Sequence, residues 1–158
     1  AGTPAPNPGD LVASRRFGEL IRSLAQEFDA VVVDTAPAAA GADLFSVAAA
    51  ADGLVLVVSL GLTDGEEAGR VAGQLKAEGV RILGLVVNRV EGELPPTLRS
   101  QIDGLGIPLA GTVPADAQVA EFDLAGRPLV ELGADSAVYR AVSDILHRTV
   151  EGQGNGEN

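Results

Sequence analysis

The sequence predicts an α/β fold in which a parallel β-sheet is flanked by helices. Two features of the 158 residues lead to this prediction. Four short apolar runs show no alternation, which is typical of strands buried on both faces of a sheet. Segments with helical periodicity separate these runs, and parallel strands need such crossover connections. The length fits one domain.

The N-terminal part is predicted to contain a lead-in, two helices and a first strand. Residues 1–9 hold three prolines and two glycines and are predicted to be extended, and a single α/β domain is expected over residues 10–150. Residues 30–34 (AVVVD) predict a buried strand, and residues 42–51 predict an alanine-rich helix. The first helix is predicted from apolar residues that recur along one face: Phe17, Leu20, Ile21, Leu24 and Phe28.

Two further strands enclose the helix with the clearest predicted ends. Residues 54–59 (LVLVVS) and residues 81–88 (RILGLVVN) predict the second and third strands. Between them, Thr63 and Glu66 have the spacing of a capping box, in which each side chain accepts a hydrogen bond from a free backbone N–H. Gly79 is predicted to end this helix.

The C-terminal part predicts one more strand and three more helices. The two prolines at residues 95–96 suit the first turn of a helix. Residues 108–113 (PLAGTV) predict the fourth strand, and residues 116–125 predict a short helix closed by Gly126. Residues 151–158 (EGQGNGEN) are predicted to be a disordered tail. The last helix is predicted from one apolar face: Val138, Ala141, Val142, Ile145 and Leu146.

Composition excludes several classes of function. The chain has 22 acidic and 11 basic residues, a formal net charge of -11, whereas nucleic-acid binding requires clustered basic residues. It has no cysteine, which excludes disulfides, zinc–thiolate sites and iron–sulfur clusters. The longest apolar run, residues 54–62, is about half of the ~20 residues that a membrane-spanning helix needs. We therefore expect a soluble protein that does not bind nucleic acid. The absence of cysteine leaves the compartment unassigned, and our expectation for the location is cytoplasmic.

Candidate ligand-binding residues follow the predicted strands, because ligands of open parallel sheets bind at the carboxyl ends of the strands. Asp34 comes directly after an apolar run, where a carboxylate can hold the water shell of Mg²⁺. The alternative is that Asp34 caps a turn or a helix. Asn88 ends the third strand, and its amide has the donor and the acceptor that a purine edge requires. The alternative for Asn88 is a turn-forming role.

Other polar residues are explained more simply. Asp116 follows the fourth strand and suits the N-cap of the next helix, a role that does not exclude a ligand-facing loop. His147, the only histidine, is expected to lie on the surface or to be partly packed rather than to act in catalysis. A phosphate-binding loop of the G-x-x-x-x-G-K-[ST] type needs a lysine, and the only lysine, Lys76, lies in the middle of a predicted helix. The sequence therefore contains no such loop.

Several segments resemble known families. Four of them are similar to the bacterial tyrosine autokinases of capsule and exopolysaccharide synthesis (CpsD/CapB type): residues 6–14 (PNPGDLVAS), 28–37 (FDAVVVDTAP), 51–58 (ADGLVLVV) and 84–89 (GLVVNR). In that family a PNP-x-E-L-L-x-S segment precedes a helix and a strand that ends in D-T-P-P. Residues 111–116 (GTVPAD) and 125–129 (AGRPL) look more like the division-site and partition ATPases (MinD/ParA type). Both groups belong to the deviant Walker branch of the P-loop ATPases, so the resemblance implies a P-loop NTPase-like fold, here without the N-terminal P-loop strand.

The resemblance implies ATP and Mg²⁺ as cofactors and assigns roles to particular residues. Asp34 would be the Walker B carboxylate, with a catalytic role and a water-mediated contact to Mg²⁺. The residues implied in cofactor binding are Thr35, Pro37, Asn88, Pro114 and Asp116. The first two would shape the turn beside the phosphates, the asparagine would contact adenine, and the last two would flank the base.

The sequence also departs from the family pattern. The first strand, the Walker A loop and the Walker A′ strand of the family are expected upstream of Ala1. Ala36 replaces the first proline of D-T-P-P, and Tyr139 is the only tyrosine, so the C-terminal tyrosine cluster of the autokinases is absent. We therefore expect the C-terminal part of a deviant Walker ATPase or kinase-like protein, which is not catalytic alone and which, taken alone, requires no cofactor.

A second hypothesis is a degenerate pseudo-ATPase that works as a protein-interaction or regulatory module. Under either hypothesis, a homo-oligomer or a partner chain is expected to cover the sheet edge left by the missing strand, since unpaired strand edges bind other strands. The family resemblance further implies a membrane-protein partner and, through it, an association with the membrane.

Overall fold

The computed structural model describes residues 8–37 and 43–150, which form helices and a parallel three-stranded sheet. The helices are α1 (Pro8–Val12), α2 (Arg15–Glu27), α3 (Asp43–Ala50), α4 (Gly65–Ala77), α5 (Pro96–Gly104), α6 (Ala117–Leu124) and α7 (Ala137–Val150), with a short 3-10 helix at Leu129–Glu131. The strands are β1 (Leu54–Ser59), β2 (Ile82–Val90) and β3 (Leu109–Pro114). This architecture confirms the predicted fold class.

The chain divides into two compact units. The first comprises Ala1–Leu54 and Arg70–Arg81, and the second comprises Val55–Gly69 and Ile82–Asn158. In the first unit, α1, α2 and α3 pack against one another. In the second unit, α7 packs against β3 and β2.

The sheet has the strand order β1-β2-β3, so β2 is the central strand. Residues 84–87 of β2 are buried in succession, and Val87 is fully buried. A strand covered on both faces by protein has no polar face, which is why this run of the sequence is apolar without alternation. The three strands predicted at residues 54–59, 81–88 and 108–113 are confirmed, with β2 extending two residues further than predicted.

The core of the second unit lies between this sheet and α7. Val86 of β2 and two buried residues of β3, Ala110 and Val113, form a cluster, and α7 packs Val138 and Ile145 against it. These two residues lie seven positions apart on the face predicted from periodicity, so the predicted inward face of α7 is confirmed at both. The same helix leaves Val142 and Leu146 about half exposed.

The predicted first strand is wrong. Residues 30–34 form neither a helix nor a strand, and Val32 is 79% exposed. A strand exists only where its N–H and C=O groups pair with a neighbour, and no strand among residues 8–37 and 43–150 pairs with this segment. The apolar run alone was therefore insufficient to form a strand.

Two predicted details near helix ends also differ from the structure. The predicted capping box of α4 does not form: Asp64 Oδ1 accepts the hydrogen bond from Glu66 N (2.8 Å), while Thr63 Oγ1 accepts from Ser59 N (3.0 Å). Asp is as good an N-cap as Thr, and Asp64 lies one residue closer to the helix. The predicted N-terminal helix is two helices, because Ser14 begins α2 with an N-cap bond to Phe17 N.

The stop of α4 follows the prediction, whereas the start of the first helix does not. Helix α1 begins at Pro8, inside the predicted lead-in, and residues 1–7 lie outside the described part, as does the predicted tail at 151–158. Gly79 has a φ of 71° and ends α4, and the N–H of Val80 returns to Leu75 O (2.9 Å). This is the Schellman arrangement that a glycine permits. Within the described ranges, no helix is both long enough and apolar enough to cross a membrane.

Close packing in the sheet gives a first prediction. A Cβ added at Gly84 would lie 2.7 Å from Ala110 Cβ, and neither atom can rotate away. We expect Gly84→Ala to lower the free energy of unfolding by about 1–3 kcal/mol, as overpacking does. Urea denaturation with a far-ultraviolet circular dichroism readout would measure it.

The matched control is Gly73→Ala in α4, where an added Cβ meets open space. This change should raise stability by about 0.5–1 kcal/mol through helix propensity. A Gly84→Ala variant as stable as the Gly73→Ala variant would contradict the observed distance between β2 and β3.

Candidate functional site

The carboxyl ends of the three strands are tied together by backbone hydrogen bonds in the second unit. Leu60, which follows β1, donates its N–H to Asn88 O in β2 (3.0 Å). Ala115, which follows β3, donates its N–H to Val90 O (2.9 Å). These bonds place the loops that leave the strands side by side, at the edge where ligands of parallel sheets bind.

Asn88 has the most constrained side chain at this edge. It is half-buried, its Oδ1 accepts from Arg89 N (2.9 Å), and its Nδ2 donates to Ser59 Oγ (3.4 Å). Ser59 is held in turn, because its own N–H donates to Thr63 Oγ1 (3.0 Å). The Asn88 amide is thus anchored to the ends of two strands.

The backbone at Arg89 is unusual. Its φ is 62°, in the left-handed region that residues other than glycine rarely occupy. The pairing of β2 with β3 also shifts here: Val87 pairs with Thr112 and Val90 pairs with Pro114, so two residues of β2 oppose one of β3. This is a β-bulge, a feature that redirects side chains and is common beside active sites.

Pro114 and Asp116 lie at the end of β3. Pro114 is the last residue of the strand and is half-buried. Asp116 is the N-cap of α6, and its Oδ1 accepts from Gln118 N (2.8 Å). The capping role is therefore present, as the simpler explanation of this residue predicted, while a contact from this loop to a base stays a prediction.

The remaining predicted site residues belong to the first unit. Asp34 ends the segment that failed to form a strand, Thr35 and Pro37 follow it, and all three are exposed. The structure thus brings Asn88, Pro114 and Asp116 together at the strand ends of one unit. The other three residues lie next to one another in the other unit.

The residues present fit part of a nucleotide. Within residues 8–37 and 43–150, no group of three or more His, Cys, Asp or Glu side chains could hold a metal ion. Mg²⁺ bound to a nucleotide keeps several waters and needs only one or two carboxylates besides the phosphates. Asp34 alone therefore suits a nucleotide-bound Mg²⁺, but it is not enough to hold a free Mg²⁺ ion. Lys76, the only lysine, lies in the last turn of α4 rather than before a helix. Among the described residues, Asn88 carries the donor and the acceptor that suit a base, and no lysine lies in a phosphate-binding loop.

A groove of about 580 Å³ lies elsewhere in the second unit, along β3 and α7. Gly111, Thr112 and Ile145 contribute to its lining, and none of the predicted site residues does. Arg148 also lines the groove, and its guanidinium donates a hydrogen bond to the backbone carbonyl of Ala110 in β3 (3.2 Å). His147, the neighbouring residue, is exposed, as expected.

Sequence reasoning missed two contributors to the site, Ser59 and the backbone N–H of Arg89. Ser59 carried a usable signal, because it is the polar residue that ends an apolar strand run, as Asn88 does in the next strand. The bulge at Arg89 carried none, since its neighbours are ordinary strand residues.

Comparison with known proteins gives relatives in two groups. No family model matches the chain. It is 32% identical over 91 residues to the tyrosine-protein kinase CpsD of Streptococcus pneumoniae, an alignment that covers 58% of this chain and 40% of that protein. It is 28% identical over 149 residues to the septum site-determining protein MinD of Synechocystis, covering 91% of this chain and 55% of that protein. The chain thus spans about half the length of the curated relatives it matches.

A solved structure supports the same relationship. The septum site-determining protein MinD of Pyrococcus horikoshii, complexed with Mg-ADP, superposes with a TM-score of 0.63 and 26% sequence identity. The superposition covers 89% of this chain and 56% of that one. The similarity indicates that this chain corresponds to part of an ATPase-like or kinase-like domain.

The left-handed conformation at position 89 predicts a reversed preference between glycine and alanine. We expect Arg89→Gly to be more stable than Arg89→Ala by about 1 kcal/mol, because a left-handed φ costs every residue that has a Cβ. At the exposed helical position Gln101, the same pair should differ by about 0.5–1 kcal/mol in the opposite direction. Equilibrium unfolding in urea would compare the four variants, and equal stability of the two variants at position 89 would refute the bulge geometry.

The cap at Asp116 gives a second prediction for this region. Asp116→Ala should cost about 0.5–2 kcal/mol of stability, and Asp116→Ser should keep most of it, because serine also accepts a bond from the first turn. Asp123→Ala, an exposed change in the same helix, serves as the control and should alter stability by less than about 0.5 kcal/mol. Thermal unfolding would show the order, and an equal loss for alanine and serine would contradict a capping role.

Proposed function

We propose that this chain is the adenine-binding portion of a deviant Walker ATPase. The proposal proceeds from its relationship to the MinD/ParA-like P-loop ATPases, with CpsD-type tyrosine kinases among its relatives. The observation that carries this proposal is Asn88, a half-buried amide fixed at the joined carboxyl ends of β1 and β2. An amide has the donor and the acceptor that a purine edge needs. The adjacent end of β3, at Pro114 and Asp116, would flank the base.

Phosphoryl transfer needs more than a base contact. Its catalysis depends on backbone N–H groups, a lysine and Mg²⁺ that hold the phosphates in line. Asp34 would supply one carboxylate toward the water shell of a nucleotide-bound Mg²⁺, and the bound ion would neutralise charge on the phosphates. The single lysine lies in α4 and cannot supply the rest. We therefore assign binding of the base to this chain, and assign hydrolysis or tyrosine phosphorylation only to a complex with a phosphate-binding loop from another segment or partner.

Exposed apolar side chains in the first unit support a partner. Helix α2 buries no residue fully, and Leu20 and Phe28 are 54% and 59% exposed. Val32 is exposed further along the same unit, in the segment that lacks a pairing strand. A second copy or a different chain that contributes a strand to residues 30–34 would cover these groups by strand addition.

The same observations favour a second candidate function, a pseudo-ATPase that acts through protein contacts. The two candidates differ in one property, because a regulatory module does not require the Asn88 edge to bind purine. For the whole protein we further propose a role in exopolysaccharide synthesis, which the CpsD names suggest, and a membrane-protein partner, which the family resemblance implies.

Equilibrium binding of adenosine, AMP and ATP to the full chain tests the first candidate. We expect the three affinities to agree within about 3-fold, with ATP the weakest at low salt, because no phosphate cradle compensates for repulsion by the net charge of -11. Asn88→Ala should weaken adenosine binding by about 5-fold or more, the effect of losing a bidentate base contact. The control Gln101→Ala removes an exposed amide from α5 and should change nothing.

Two results would overturn this proposal. A well-folded chain that binds no adenosine would favour the interaction module instead. Tight ATP binding that depends on Mg²⁺ and disappears in Asp34→Asn, but not in the exposed control Asp52→Asn, would show that this chain builds a phosphate site of its own.

A further inference from the structure

We propose that Ser59 is a positioning residue that fixes the rotation of the Asn88 amide and so makes the strand-end site select adenine over guanine. The proposal rests on the proposed function, because it concerns the same site. It adds the residue that enforces the preference for adenine.

The orientation of the amide follows from what each neighbour can do. A backbone N–H can only donate, so the side-chain atom of Asn88 that faces Arg89 N at 2.9 Å must be the oxygen. The nitrogen is then directed to Ser59 Oγ, which accepts from it at 3.4 Å. The two contacts agree on one orientation and disfavour the flipped one, in which two donors would face each other at Arg89.

The bulge explains why Arg89 N is free for this contact. In a regular strand this N–H would point to a neighbouring strand, whereas here two residues of β2 oppose one of β3 and φ is 62°. The N–H turns to the preceding side chain instead. The backbone strain at Arg89 is thus connected to the position of the Asn88 oxygen.

Ser59 is itself held in place by backbone contacts. Its N–H donates to Thr63 Oγ1 (3.0 Å), and the N–H of the next residue, Leu60, donates to Asn88 O (3.0 Å). The hydroxyl of Ser59 is therefore presented from a fixed backbone to a half-buried partner. The strand ends, rather than a mobile loop, therefore fix the orientation of the Asn88 amide.

Selectivity follows from the groups that stay free. A carboxamide has two N–H donors and two acceptor positions, and the two contacts use one of each. One donor and one acceptor remain, which matches the N7 acceptor and N6–H donor of adenine. The same edge of guanine has two acceptors, O6 and N7, and the free acceptor of Asn88 would oppose one of them. Without the Ser59 hydroxyl, a second N–H becomes free and can serve guanine.

Binding of adenosine and of guanosine to the full chain, with and without Ser59→Ala, measures this selectivity. We expect the wild type to prefer adenosine, and Ser59→Ala to reduce the ratio of the two affinities by about 3-fold, an effect in keeping with a single long hydrogen bond. Ser59→Thr keeps the hydroxyl and should show the wild-type ratio of adenosine affinity to guanosine affinity. Ser100→Ala removes an exposed hydroxyl from α5 and is the matched control.

A measurement without any purine separates this inference from the proposed function. In nuclear magnetic resonance spectra of the free wild-type chain, one of the two Asn88 side-chain N–H protons should exchange with water more slowly than the other. Ser59→Ala should remove the difference. If the wild type binds no purine but shows this asymmetry, the proposed specificity and the proposed function both fail while the positioning contact stands.

Two other results would overturn the positioning role directly. One is equal exchange of both Asn88 protons in the wild type, which needs no variant to fold. The other is an unchanged ratio of adenosine to guanosine affinity in a folded Ser59→Ala variant.

Discussion

The pairing of β2 on both of its edges is the constraint on which the second unit depends. Residues 84–87 are buried in succession, so water cannot satisfy their N–H and C=O groups, and neighbouring strands must do so. β1 and β3 provide these partners, and α7 covers the sheet with Val138 and Ile145. Once the strands are paired in parallel, their carboxyl ends lie at one edge, which brings Ser59 and Asn88 into contact.

The same requirement accounts for the fate of residues 30–34. Their sequence is as apolar as that of β2, but no strand among the described residues pairs with them, and Val32 is left exposed. A covering strand from another chain segment would satisfy both the backbone and the apolar side chains.

At the strand ends, polar groups act on one another before they act on any ligand. The amide of Asn88 already uses one donor and one acceptor within the protein, and Asp116 already caps α6. What is left free for a ligand is therefore defined by these internal contacts. The left-handed backbone conformation of Arg89 costs energy, and it occurs where the Arg89 N–H donates to the side-chain oxygen of Asn88.

The sequence by itself determined the elements whose signals are local. The apolar runs of β1, β2 and β3, the stop at Gly79 and the inward face of α7 could be predicted because burial and backbone conformation select residue types over a few positions. Asn88 and Asp116 could be predicted as strand-end residues for the same reason. The wrong helix start at Thr63 shows the limit, since Asp64 is an equally good cap and only the structure distinguishes them.

Tertiary structure alone decided which segments found partners and how the site is arranged. An apolar run does not say whether a neighbouring strand exists, so residues 30–34 and β2 look alike in the sequence. The bulge at Arg89 arises from the register between β2 and β3, and the contact between Ser59 and Asn88 joins residues 29 positions apart. Both depend on non-local pairing, which local propensity does not encode.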